Sequence, residues 1–216
     1  MFLLSLLSFP AMYAIRLRVP APDDGSALSD AIANVVLFTV FALHHSVMAR
    51  TGAKAWLTRR IPADLERSLY VWIASILFLA VCWLWQPLPG MVWEVRGPGL
   101  ALYIAQFFGI ALTLAAARIV GMWELAGVQQ PDLTKPIEFR VAGPFSLVRH
   151  PIYLGWILMV FATPVMTTSM LLFAVVSTVY LIAAIPFEER SLLEAFPEKY
   201  GAYQRAMKWR LIPFIW

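Results

Sequence analysis

The chain holds one cysteine, Cys82, inside an apolar run, which excludes an intrachain disulfide and a cysteine-built metal site. Charge is scarce. Only 14% of residues are Asp, Glu, Lys or Arg, where a soluble domain carries about a quarter. From Pro151 to Phe187 there is no charged residue and no histidine at all. Only His44, His45 and His150 supply imidazole. Glycines are dispersed, with no phosphate-cradling loop, and HExxH and GxSxG are absent. There is no internal repeat and no low-complexity stretch. The net charge of +4 is spread between apolar runs and forms no cluster suited to a nucleic acid. What is abundant is apolar: 61% of residues are hydrophobic, the mean hydropathy is +0.72, and nine tryptophans suit the two interfaces of a bilayer. The composition is that of an integral membrane protein.

A spanning helix needs roughly 20 apolar residues. Leu28–Ala49, Ser68–Leu88 and Leu100–Gly121 each qualify. The uncharged run from Pro151 is too long for one crossing at about 1.5 Å per residue. It reads as a hairpin of two helices turning near Thr163-Pro164 and Thr167-Thr168-Ser169. Met1–Ile15 is apolar but short, lacks a basic n-region, and reads as a partial first span rather than a signal peptide. The expected fold is therefore all-α: one membrane domain of five to six spanning helices. Residues 1–121 hold the N-terminal helices, and 122–216 a loop, a C-terminal hairpin and a tail. Fourteen of the 17 lysines and arginines fall in the segments 50–67, 118–149 and 190–210, and only Arg16, Arg18 and Arg96 on the other side. The basic side should be cytoplasmic. Arg149-His150 and Glu188-Glu189, at the two ends of the hairpin, are then expected to be neighbours on that face.

Chemistry is expected where polar residues converge at those helix ends. Pro151 suits the first turn of a helix, which puts His150 at a helix start, a place that attracts carboxylate or phosphate. Glu188 and Glu189 close the second arm, where acids oppose the helix dipole and call for a compensating cation. Each feature has a plain alternative: a capping histidine and a solvated exit cluster. Together they suit a zwitterionic or cationic ligand that carries its own carboxylate. His44 and His45 end the second span. Adjacent helix positions point about 100° apart, which makes them poor joint ligands for one metal, and no metal site is expected. A structural role, a substrate-pocket role and a single axial haem ligand all remain open for them. The loop from Trp123 to Phe145 is long for an idle connection.

"GPFSLVRHPIYLG", the apolar hairpin, and "EERSLLEAFPEKYGAYQRAMKWRLIP" together resemble the C-terminal half of the isoprenylcysteine carboxyl methyltransferase superfamily. "FALHHSVMAR", "IPADLERSLYV", "WLWQPLPGMVWEV" and "WELAGVQQ" are similar to its bacterial methanethiol S-methyltransferase and NnrU-like branch. The resemblance implies S-adenosylmethionine as cofactor and a small or lipophilic thiol as methyl acceptor. A lipid, amine or isoprenoid-type acceptor is the alternative, and a non-catalytic, haem-associated NnrU-like protein the third reading. By position it implies cofactor contacts at Gln130, Ile137, Glu138, Phe139, Arg140, Phe145, Arg149, His150, Pro151, Ile152, Tyr153, Glu188 and Glu189. It leaves His44 or His45 as base or positioning group, and Arg190 or Arg210 to stabilise a thiolate. Three positions depart from the family pattern: Phe145 for a tyrosine, Pro197 for a glycine, and Ala184 for an arginine that binds a substrate carboxylate.

Overall fold

A computed structural model gives the fold and describes residues 2–48, 51–95, 97, 99–122 and 139–216. Its elements run in the order α1 (Phe2–Ala11), α2 (Ala27–Met48), α3 (Thr51–Leu57), α4 (Ala63–Leu84), β1 (Met91–Glu94), α5 (Gly99–Val120), α6 (Pro151–Phe161), β2 (Val165–Thr167), α7 (Thr168–Ala195) and α8 (Pro197–Ala206). Among the described residues, α2, α4, α5 and α7 are long and apolar enough to cross a membrane. Two shorter apolar helices accompany them, α1 with its π-type extension Met12–Arg16, and α6. The chain is a mostly helical, multi-pass membrane protein.

Residues 1–99 and 164–180 form one compact unit, and residues 100–163 and 181–216 another. In the first, α1 and α2 both pack on α4. Its core is a nest of rings: Phe173 lies 5.7 Å from Phe9, 5.7 Å from Phe38 and 5.4 Å from Trp85, centroid to centroid. A buried amide in this unit is paired, as the cost of desolvation favours. Asn34 is the example: its amide donates to Gln86 O and its Oδ1 accepts from Gln86 N, both at 2.7 Å.

The expected hairpin exists, but its turn is not a loop. α6 ends at Phe161, because Pro164 disfavours helical backbone at Thr163. At about 1.5 Å per residue α6 is only about half a bilayer long. Residues 165–167 then pair antiparallel with β1, in the register Met91↔Thr167, Trp93↔Met166 and Glu94↔Val165. This two-stranded ladder departs from the all-α expectation. It satisfies backbone groups that a bare apolar turn would leave unpaired. Thr167 also caps α7, its Oγ1 accepting from Met170 N at 3.2 Å.

In the second unit α5 and α6 cross with their backbones nearly touching. A Cβ at Gly109 would lie 2.6 Å from Gly155 O, and one at Gly155 would lie 2.6 Å from Gly109 O. Gln106 Nε2 donates to Met159 O across the same crossing at 2.8 Å. Small residues with an interhelical hydrogen bond are how apolar helices bind one another without a hydrophobic driving force.

Candidate active site

The site is assembled in the second unit from three pieces of chain. The first runs into α6. Gly143 takes a left-handed φ of +51°, which a side chain would disfavour, and starts a 3-10 turn over Gly143–Ser146. Tyr203 of α8 fastens that turn: its hydroxyl donates to Phe145 O at 2.7 Å and lies 3.4 Å from Val148 O. The next two amides are tied to the tail, Arg149 N donating to Trp209 O and His150 N to Arg210 O, each at 2.9 Å. Pro151 then opens α6, and His150 O accepts from Tyr153 N and Leu154 N at 3.1 Å.

The second piece is the end of α7, which brings Glu188 and Glu189 against His150. The imidazole Nε2 lies 3.2 Å from Glu189 Oε1, and Nδ1 lies 3.5 Å from Glu188 Oε2. The ring stacks on Tyr153 at 5.4 Å. The expected meeting of the hairpin ends is therefore observed, and both ring nitrogens already face carboxylates of the chain.

Two adjacent glutamates have different surroundings. Glu189 is 5% exposed. Around it stand Arg149 Nε at 3.2 Å, His150 Nε2, Arg210 Nε at 3.5 Å and Gln204 Nε2 at 3.4 Å. A buried carboxylate has to be compensated in this way. The side chain of Glu188 is 45% exposed and accepts the Tyr153 hydroxyl at 2.7 Å. One acid is thus enclosed in a charge cluster, and the other stands at a rim.

The third piece is aromatic. Phe139 packs on Phe196, Tyr200 and Tyr203 at 5.6, 5.6 and 5.8 Å. Burial and the Glu189 charge push the Tyr200 phenol pKa well up. Tyr203 is pushed up to about 12 by burial, with Arg149 opposing and Glu189 adding.

The remaining expected residues fall as follows. Pro151 is buried, Phe145 and Ile152 are half-buried, and Arg140 is exposed. Arg190 is 81% exposed on the surface of α7 and pairs with Glu194 at 3.1 Å. Arg210 faces Glu189 and lies over the Trp216 ring. Gln130, Ile137 and Glu138 lie outside the described residues. His44 and His45 belong to the first unit, where His45 Nδ1 lies 2.9 Å from Tyr70 Oη and His44 stacks on the same ring. Among the described residues no group of three or more His, Cys, Asp or Glu could hold a metal ion.

A family model described as phospholipid methyltransferase matches residues 99–199. A methanethiol S-methyltransferase of Mycobacterium tuberculosis is 41% identical, over 85% of this chain and 78% of its own length. Methanethiol S-methyltransferase 1 of Bradyrhizobium diazoefficiens is 37% identical, over 98% of this chain and 77% of its own length. The methanethiol S-methyltransferase of Pseudomonas deceptionensis is 39% identical, over 85% and 74%. The chain belongs to the methanethiol S-methyltransferase family. It is an enzyme, a methyltransferase. No solved structure matches it.

Tyr200, Tyr203, Gln204 and the carbonyls of Trp209 and Arg210 also build this site, and all lie beyond the stretch that the phospholipid methyltransferase model matches. Sequence reasoning missed them as site residues. The signal was the double Tyr of "EKYGAYQ", which belongs to the stretch that carries the resemblance and whose spacing puts both rings on one face of a helix. The carbonyls had no signal, since a main-chain acceptor can belong to any residue.

Proposed function

We propose that this chain transfers the methyl group of S-adenosylmethionine to a small thiol of the methanethiol class, giving a thioether, at the cytoplasmic face of a bacterial inner membrane. The observation that carries the reading is the set of methanethiol S-methyltransferases at 37–41% identity over most of the chain. The site's chemistry fits the cofactor. Glu188, partly exposed and oriented by Tyr153, suits an ammonium or a ribose hydroxyl. Phe139 and Phe145 supply apolar ring surface for an adenine. When bound, the cofactor supplies an electrophilic methyl carbon on a positively charged sulfur.

The chain's part is alignment and dryness rather than bond activation, because a sulfonium leaves without help. Arg149, His150 and Glu189 hold the start of α6 and the end of α7 in one register. A thiol must lose its proton to attack, as cysteine does. The new carbon–sulfur bond forms as the sulfonium–carbon bond breaks, with that electron pair staying on the departing sulfur. His45, held by Tyr70, is the candidate acceptor of the thiol proton on chemical grounds. Unchanged turnover of His45→Ala at every pH would remove it. Ala184 places an apolar methyl where relatives of the wider superfamily carry an arginine, which suits an acceptor without a carboxylate.

The test is incubation of membranes holding the protein with methyl-labelled S-adenosylmethionine and methanethiol, followed by headspace analysis. Labelled dimethyl sulfide is expected. Label that appears in phospholipid instead would favour the lipid acceptor to which the phospholipid methyltransferase match points.

A further inference from the structure

Tyr200 and Tyr203 sit one turn apart on α8, and their hydroxyls have opposite fates. Tyr203 donates to a carbonyl of the turn before α6. Tyr200 is 2% exposed, and its hydroxyl has no hydrogen-bond partner among the described residues. Buried hydroxyls are almost always paired, and an unpaired one forfeits its full hydration. Phenylalanine would fill the same space without that loss. A second buried donor stands in the same cluster. Arg149 Nε lies 3.2 Å from Glu189 Oε1, an ion pair without hydrogen-bond geometry, and meets no other acceptor among the described residues. Among the described residues, then, a buried hydroxyl with no acceptor stands in one cluster with a buried guanidinium Nε that is ion-paired but not hydrogen-bonded, and both can still receive an acceptor.

The surroundings say what kind of acceptor. Burial and the neighbouring Glu189 keep the phenol protonated, so at neutral pH it can donate. Arg149 makes an anion more welcome than a neutral carbonyl. The ring nitrogens of His150, the sequence-based choice for a ligand carboxylate, are already turned to Glu188 and Glu189.

We propose that Tyr200 Oη and Arg149 Nε are the donors that receive the amino-acid carboxylate of the bound cofactor, which makes Tyr200 a binding residue. This rests on the methyltransferase reading above and relocates one end of the ligand within that same site.

The experiment compares wild type, Tyr200→Phe and Tyr203→Phe in detergent, with two probes. S-adenosylhomocysteine carries the carboxylate, and 5′-methylthioadenosine lacks the amino-acid arm. Calorimetry is expected to show Tyr200→Phe binding S-adenosylhomocysteine about tenfold more weakly, the size of one hydrogen bond to a charged group. Its 5′-methylthioadenosine affinity should match wild type. Its melting temperature without ligand should be unchanged or higher, since only an unpaired hydroxyl has gone. Tyr203→Phe, which frees the turn before α6, should lose stability, and any loss of affinity should be equal for the two probes. Equal S-adenosylhomocysteine affinity in wild type and Tyr200→Phe would overturn the proposal, as would equal weakening with both probes. A lower melting temperature with unchanged binding would overturn it too, assigning the hydroxyl to a structural water. A wild type that binds neither probe would instead sink the methyltransferase-site reading on which it stands.

Discussion

Glu188 and Glu189 point about 100° apart on one helix, and that angle divides their work. Glu189, enclosed by Arg149, His150, Arg210 and Gln204, is a structural counter-ion. Removing one partner of a buried charge cluster costs about 3–5 kcal/mol. Glu189→Ala should therefore lower the unfolding free energy by about that much in a denaturant titration. Glu188→Gln should melt close to wild type but bind S-adenosylhomocysteine about tenfold more weakly, since it loses charge where a ligand can reach it. A Glu188→Gln protein with wild-type affinity would remove that acid from the site. Tyr203 predicts an alkaline effect. Its folded pKa, about 12, lies above its ordinary value of 10.0. The stability it adds is fully present below pH 10 and is lost as pH rises from 10 to 12. Tyr200 shifts in the same direction. Unfolding measured from pH 8 to 12 should show this loss in wild type and less of it in Tyr203→Phe. The sequence showed that two acids close the hairpin. It could not say which faces inward, because that depends on helix rotation about its own axis, set by packing.

Among the elements, α6 is short and apolar, and its seat on α5 is the most constrained contact. Gly155 faces Gly109 and Thr113 with no room for a Cβ. Gly155→Val should push the helices apart, lowering the melting temperature and moving His150 from the acid pair. Overpacking of this kind costs about 1–3 kcal/mol or more. Gly52→Ala is the control. It lies in α3 with open space around its Cβ, and should leave stability equal or slightly higher. The closing Gly of "RHPIYLG" is thus a packing residue with an identifiable partner. The Val165–Thr167 strand was illegible for another reason. A three-residue strand has too few positions to show an alternating pattern, and its partner lies far back in the chain at Met91–Glu94.

For the whole molecule, the lysine and arginine asymmetry predicts which face the site occupies. Cys82 is the chain's one cysteine and is buried, so a Cys82→Ser background is a clean start for labelling. A cysteine placed at Ala202 should be protected from an impermeant maleimide in intact cells and react in inverted vesicles. One at Asp24, in the same inter-helix segment as Arg16 and Arg18, should do the opposite. If both react from the same side, the orientation is wrong.

The sequence alone determined the membrane class, the hairpin, its two charged ends and the family. These depend on composition, run length and local motif, which are written residue by residue. Only the tertiary structure decided that Glu189 is enclosed and Glu188 is not, that the carbonyls of Trp209 and Arg210 hold Arg149 and His150, and that the Tyr200 hydroxyl finds no partner among the described residues where that of Tyr203 does. Each of these depends on which face a helix turns inward and on where a distant backbone passes, and both are set by packing across the fold.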